Sequence, residues 1–157
     1  MERFRSAPSG FVREDSLQKS FDQGIVGLSG EIACLGRIVI TVDKTLRILD
    51  DSDDPQVQTI SYTYNARVQG VGTIMRHDNI HAHSGHPDAH HSHVYDWPND
   101  REVEGSPRHC GEAGWPTLSE FIEKVERWYW TNRERLADPD GHPELGRMPA
   151  YLGMSEV

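Results

Sequence analysis

The chain has little cysteine and no long apolar run, and each shortage excludes a class of protein. Its two cysteines, Cys34 and Cys110, form no Cys-x-x-Cys pattern. This predicts two thiols in a reducing compartment, while leaving a single disulfide between them open. No apolar stretch approaches the length of a membrane span, and the N-terminus lacks the apolar region of a signal peptide. We therefore expect a cytoplasmic protein with no membrane partner.

Positive charge is also scarce. Sixteen lysines and arginines stand against 25 acidic residues, which gives a net charge of −9. Such a balance argues against a protein that binds nucleic acid through a broad basic face. Any contact with RNA would need a local site built from a few arginines.

Histidine, by contrast, is concentrated in one segment. Seven of the nine histidines lie between His77 and His93, and only His109 and His142 lie elsewhere. Histidine exchanges protons near neutral pH and is the commonest metal ligand in proteins. The segment is therefore the main candidate for a functional site, although His83, His86 and His90, among small residues and proline, are expected to lie in a solvated loop.

Two strands are predicted immediately before this segment. From Ile60 to Val68 apolar and polar residues alternate, which is typical of a strand with one buried face and puts Tyr62 and Tyr64 in the core. After a glycine-containing turn, Thr73 to Asp78 is predicted to form the return strand. The two-residue period puts Arg76 and Asp78 on one face of that strand. His77 falls on the other face, where we expect it to belong to the core.

The other elements complete a single two-layer α+β domain. Thr117 and Glu120 fit a capping box, and the apolar stripe after them predicts an amphipathic helix over 117–136. We expect this C-terminal helix to cover an antiparallel sheet of about four or five strands. A short helix is predicted within 13–28, and a hairpin turn at Asp43-Lys44. The domain is predicted to span 13–136, with a flexible lead-in over 1–12 and a loose tail over 137–157.

The order of several motifs resembles the TumE family, the toxins of small toxin–antitoxin pairs. That family's pattern is a Tyr-x-Tyr strand, an Arg-Tyr-Asp-Asn strand end, a nearby histidine and a His-x-His. The matching segments here are Tyr62-Thr63-Tyr64, Arg76-His77-Asp78-Asn79, His81 and His91-Ser92-His93. Gly30-Glu31-Ile32 and the helix from Thr117 are also similar, so the resemblance covers roughly 29–135. It departs from the pattern at His77, where the family has tyrosine.

The resemblance implies a cytoplasmic toxin that a helix-turn-helix antitoxin holds inactive, with RNA as its target. Because the surface is acidic, ribosome-associated RNA or tRNA recognised at one local site fits better than free RNA. A second copy of the chain is a further expected partner.

Three functions are open for the histidine segment. The first is RNA cleavage without a cofactor, in which Arg76 contacts phosphate, Asp78 orients an imidazole, and His81 exchanges protons with His91 or His93. The second is a site for a transition metal such as zinc, nickel or copper, which would serve metal-assisted hydrolysis or metal sensing. Its ligands would be His81, His83, His91 and His93, together with Asp78. The third is an interaction module in which the histidines dock a partner protein without catalysis.

Overall fold

The computed structural model describes residues 9–50, 52–80 and 90–146. Within these residues, antiparallel strands form one sheet, and a helix near the C-terminus packs across one of its faces. The two-layer α+β class predicted from the sequence is confirmed. The strands are β1 (Val12–Asp15), β2 (Gln18–Asp22), β3 (Ile25–Cys34), β4 (Ile38–Ile48), β5 (Val57–Val68), β6 (Gly72–Asp78), β7 (His91–Asp96), β8 (Arg101–Glu102) and β9 (Arg108–His109). The helices are α1 (Gly111–Gly114) and α2 (Leu118–Asn132), with short 3-10 turns at Leu35–Arg37, Trp97–Asn99 and Arg133–Arg135.

The sheet is larger than the predicted four or five strands. The described residues form nine strands in the order β1-β3-β4-β5-β6-β7-β8, with β2 also paired to β3 and β9 to β7. The extra strands are short or lie at the edges, where the sequence has no long apolar alternation. Strands β4, β5 and β6 form the centre, so the segment before the histidines is held by neighbours on both sides.

The core lies between the sheet and α2. Tyr62, Tyr64 and Ala66 of β5 are buried, and the Tyr64 and Phe121 rings lie 5.5 Å apart between centroids. The capping box between Thr117 and Glu120 is formed, with both reciprocal hydrogen bonds present. The apolar stripe of the sequence predicted the buried residues of the helix, which are Leu118, Phe121, Ile122, Val125 and Tyr129. Trp128, which also lies on that stripe, is only partly buried. Each large side chain buried in this way contributes roughly 1.5–3 kcal/mol.

The helix predicted within 13–28 is wrong. This segment contains β1, β2 and the start of β3, and a two-residue turn at Gln23-Gly24 joins β2 to β3. Both turn residues have positive φ, 46° and 78°. That conformation is typical of the hairpin turns that match the strand twist. The turn and the pairing it starts override the helical spacing of the apolar residues.

The hairpin predicted at Asp43-Lys44 is also wrong, because β4 runs through both residues without a break. Asp43 pairs with Ser29 of β3 on one side and with Thr63 of β5 on the other. Aspartate is common in two-residue hairpin turns, but Lys44 occupies the second position, where glycine is favoured. Continuous pairing on both sides therefore keeps the chain extended.

The ends of the described chain are packed more closely than predicted. Phe11 is fully buried, and its ring lies 5.4 Å from that of Tyr129. The Tyr129 hydroxyl donates to the Pro139 carbonyl at 2.7 Å, and the Arg37 amide donates to the Gly141 carbonyl at 3.1 Å. The loose tail predicted from residue 137 therefore does not describe residues 137–146, which contact the sheet and α2.

The two cysteines and the helices bear on the predicted compartment and disulfide. No disulfide joins Cys34 to Cys110, and burial raises the pKa of the Cys34 thiol. No helix in the described ranges combines the length and the apolar character needed to cross a bilayer.

Candidate functional site at the ends of strands 6 and 7

The pairing of β6 with β7 gathers four of the predicted site residues. Arg76 lies opposite His93, and Asp78 lies opposite His91. Because alternate residues of a strand share a face, all four lie on the face of the sheet that α2 does not cover. We call this the open face of the sheet. The predicted separation of Arg76 and Asp78 from His77 is confirmed, since His77 contacts Phe121 of α2.

The Asp78 carboxylate is at the centre of this group. Its side chain is fully buried, and Oδ2 accepts a hydrogen bond from Arg76 Nε at 2.8 Å. The same oxygen lies 3.5 Å from His93 Nε2, and Oδ1 lies 4.0 Å from His91 Nδ1. A buried carboxylate is costly unless cations or donors surround it. Asp78 therefore fixes Arg76 and His93 side by side.

His93 is held from its other side by a residue that the sequence did not indicate. Its Nδ1 lies 2.8 Å from Glu102 Oε1, and the Ser106 hydroxyl donates to the same oxygen at 2.6 Å. An ionised carboxylate can only accept, so Nδ1 carries the hydrogen, and Nε2 is the ring nitrogen that faces Asp78. Glu102 reaches this place because β8 pairs with β7 next to His93, a contact that no local sequence pattern marks.

Glu102 is held as a carboxylate by these contacts. The Ser106 hydroxyl lowers the pKa of Glu102, burial opposes that shift, and the His93 ring adds to it. The pKa of Glu102 in the folded protein lies below the ordinary value of a glutamate. The ionised side chain therefore stabilises the fold at pH values above that ordinary value, and this stabilisation is lost as the pH falls through the folded pKa.

We therefore expect Glu102→Gln to destabilise the protein near neutral pH and not in acid. The amide keeps the shape but removes the charge, and Glu102 is 34% exposed, so solvent screening limits the loss to about 1 kcal/mol. Urea unfolding at neutral pH and below about pH 4, the ordinary range of a carboxyl, measures it. An equal loss at both pH values would mean that charge is not the cause.

His77 is a core residue, as predicted. It is 4% exposed, and its Nε2 lies 3.2 Å from Lys124 Nζ. Burial, and after it the nearby Lys124 charge, lowers the pKa of His77 to about 4. The ring is therefore neutral at physiological pH and accepts a hydrogen bond from the lysine. His77 therefore packs in the layer between the sheet and α2 and not on the opposite face of the sheet.

Two further histidines have structural contacts that the sequence did not predict. His90 was expected in a solvated loop; it lies in a loop but is half-buried. Its Nδ1 lies 3.2 Å from the Tyr62 hydroxyl, and its ring stacks 5.8 Å from Trp115. His109 lies in β9 opposite His91, and the two rings are 4.6 Å apart. Long-range pairing of β9 with β7 creates this contact.

The remaining predicted site residues cannot be placed on this face. His81, His83 and His86 lie outside the described residues. The predicted catalytic role of His81 and the predicted metal-binding role of His81 and His83 are therefore not tested. Within the described ranges, no three histidine, cysteine or acidic side chains are grouped so that they could hold a metal ion. The metal site therefore stays a prediction.

Comparison of the chain with protein-family models, with curated proteins and with solved structures gives no match.

Proposed function

We propose that this protein cleaves RNA and is the toxin of a toxin–antitoxin module. The observation that carries the cleavage chemistry is the single buried carboxylate of Asp78, which holds a guanidinium at 2.8 Å and an imidazole at 3.5 Å. Both groups lie on the open face of the sheet. The toxin assignment is supported by the motifs shared with the TumE family and is separate from the geometry.

Arg76 is suited to contact the phosphate. Its hydrogen bond to Asp78 uses Nε, and its side chain is 30% exposed. Within the described residues, no acceptor occupies its two terminal nitrogens, so they can donate to phosphate oxygens. A fixed guanidinium also stabilises the charge that develops on the phosphorus oxygens during the reaction.

His93 is suited to move the proton. Glu102 holds its Nδ1 hydrogen, so the nitrogen that would take the proton from a ribose 2′-hydroxyl is Nε2, with Asp78 3.5 Å away to stabilise the charged ring. The 2′-oxygen then bonds to phosphorus, the bond from phosphorus to the 5′-oxygen breaks, and that oxygen takes a proton from a second imidazole. His81 is proposed for this second role, because the side chain of the other candidate, His91, is fully buried. The products are a 2′,3′-cyclic phosphate and a 5′-hydroxyl.

The first test separates this chemistry from metal-assisted hydrolysis. The full chain, purified without a histidine tag, is incubated with total RNA in the presence of a chelator, and the new RNA ends are mapped. We expect cleavage to persist and to leave 2′,3′-cyclic phosphate ends, because no step needs a metal. Cleavage that requires added zinc, nickel or copper would reject the mechanism in favour of a metal site.

The second test addresses the toxin assignment. Expression of the chain in the cytoplasm is expected to arrest growth. We expect the neighbouring open reading frame to encode a helix-turn-helix antitoxin, and its co-expression to restore growth. Growth arrest without RNA cleavage would favour a module that only docks a partner. An absence of both effects would reject the toxin assignment.

A further inference from the structure

Asn65 of β5 lies beside the proposed phosphate-binding arginine. Its neighbours in the strand, Tyr64 and Ala66, are buried on the helix side, so Asn65 faces the open side. The register pairs it with Arg76 of β6 on one side and with Thr41 of β4 on the other. Directly paired residues have Cα atoms about 4.5–5.5 Å apart. The amide is therefore in the immediate surroundings of the guanidinium.

The sheet does not use this amide. Asn65 is half-buried in a central strand, where asparagine is disfavoured, and no hydrogen bond of its side chain is formed within the described residues. Asn79, at the end of β6, shows the contrast: its Oδ1 accepts from the Tyr62 amide at 2.9 Å, and its Nδ2 donates to the Ile60 carbonyl at 3.2 Å. The amide of Asn79 serves the fold, and that of Asn65 is left to a ligand.

The neighbours of Asn65 on the side away from Arg76 are already engaged. The Arg67 guanidinium donates to Thr41 at 3.0 Å and to Glu31 at 3.2 Å, so its hydrogen bonds are made within the protein. The carboxylates on this side, Glu31 and Asp43, would repel a phosphate. A neutral part of a nucleotide is therefore favoured next to Asn65, while the phosphate is favoured at Arg76.

We propose that Asn65 contacts the edge of a nucleobase in single-stranded RNA whose adjacent phosphate lies on Arg76. This inference rests on the proposed function and adds a base-recognising subsite to it. An amide presents a donor and an acceptor side by side, and this pair matches the edge of a base rather than a phosphate. Bases in single-stranded RNA expose such edges, which are paired in a duplex.

The test measures base preference in binding, without cleavage. Four fluorescent homopolymeric hexanucleotides, each 2′-O-methylated to block the attacking oxygen, are titrated with the full chain at low salt. We expect one base to be preferred, and Asn65→Ala to reduce that preference by about 5- to 150-fold, the contribution of a good amide–base contact. Asn65→Asp, which replaces the donor by an acceptor, is expected to change which base is preferred.

Asn132→Ala is the matched control, because this asparagine lies on α2 and donates to the Trp128 carbonyl at 2.9 Å. It should leave the base preference unchanged. If both Asn65 variants discriminate among the bases as the unmodified protein does, or if the protein cleaves RNA without any preference, the subsite is rejected while the proposed function stands. If the protein neither binds nor cleaves RNA, both proposals fail.

Discussion

Replacing His93 by alanine is expected to lower RNA cleavage by about a hundredfold to ten-thousandfold, the usual contribution of one general acid or base. The loss follows from the geometry, because His93 is the imidazole held between Asp78 and Glu102. The rate of appearance of cyclic phosphate ends, measured under single-turnover conditions, gives the effect directly. Growth arrest on expression should disappear with it.

His93→Gln separates lost chemistry from lost folding. A glutamine amide can still donate to Glu102, so the variant should unfold at nearly the same urea concentration as the unmodified protein and yet be as inactive as His93→Ala. His142→Ala is the matched control, because this histidine is exposed and, within the described residues, its side chain hydrogen-bonds only to the Pro143 carbonyl. Cleavage within a few-fold of normal in His93→Gln would remove His93 from the mechanism.

Acid should destabilise the protein through His77 by up to roughly 3 kcal/mol, at about 1.4 kcal/mol for each unit of pKa difference. The unfolded ring takes up a proton below about pH 6.5, whereas the folded ring, with its pKa lowered to about 4, does not. The contribution of His77 is therefore complete above pH 6.5 and is lost as pH falls toward 4. Urea unfolding across this range measures it.

The variant His77→Phe isolates this effect from the titration of the carboxylates. Phenylalanine preserves the ring beside Phe121 and has no proton to gain, although it leaves Lys124 without its acceptor and so lowers stability at every pH. We expect the free energy of unfolding of His77→Phe to fall less steeply between pH 6.5 and 4 than that of the unmodified protein. If the plots of unfolding free energy against pH are parallel for the two proteins, His77 is protonated as readily in the folded state as in the unfolded one.

Local sequence patterns predicted the parts of the structure whose cause is local. The alternation of β5 and the capping box at Thr117 predicted the sheet face and the start of α2. The two-residue period also separated Arg76 and Asp78 from His77. Each of these features depends on residues a few positions apart, which is the range over which a period or a cap acts.

The contacts that complete the candidate site have distant causes. Glu102 reaches His93 because β8 pairs with β7, and His109 reaches His91 because β9 does so. Both residues come from a loop region rich in glycine and proline, where no periodicity predicts pairing. The Gln23-Gly24 turn was missed for a different reason, since glutamine rarely adopts a positive φ and the sequence does not mark it as a turn residue.

The alternation of β6 ties the chemistry of the open face to the packing of the opposite layer. A slip of this strand by one residue would turn the guanidinium of Arg76 into the apolar layer and bring the neutral ring of His77 outward. The aromatic contact between His77 and Phe121 opposes that slip. An insertion or deletion in the short Gln69–Val71 connection that shifts the register of β6 by one residue should therefore abolish the proposed RNA cleavage, because it would exchange the side chains on the two faces of the sheet.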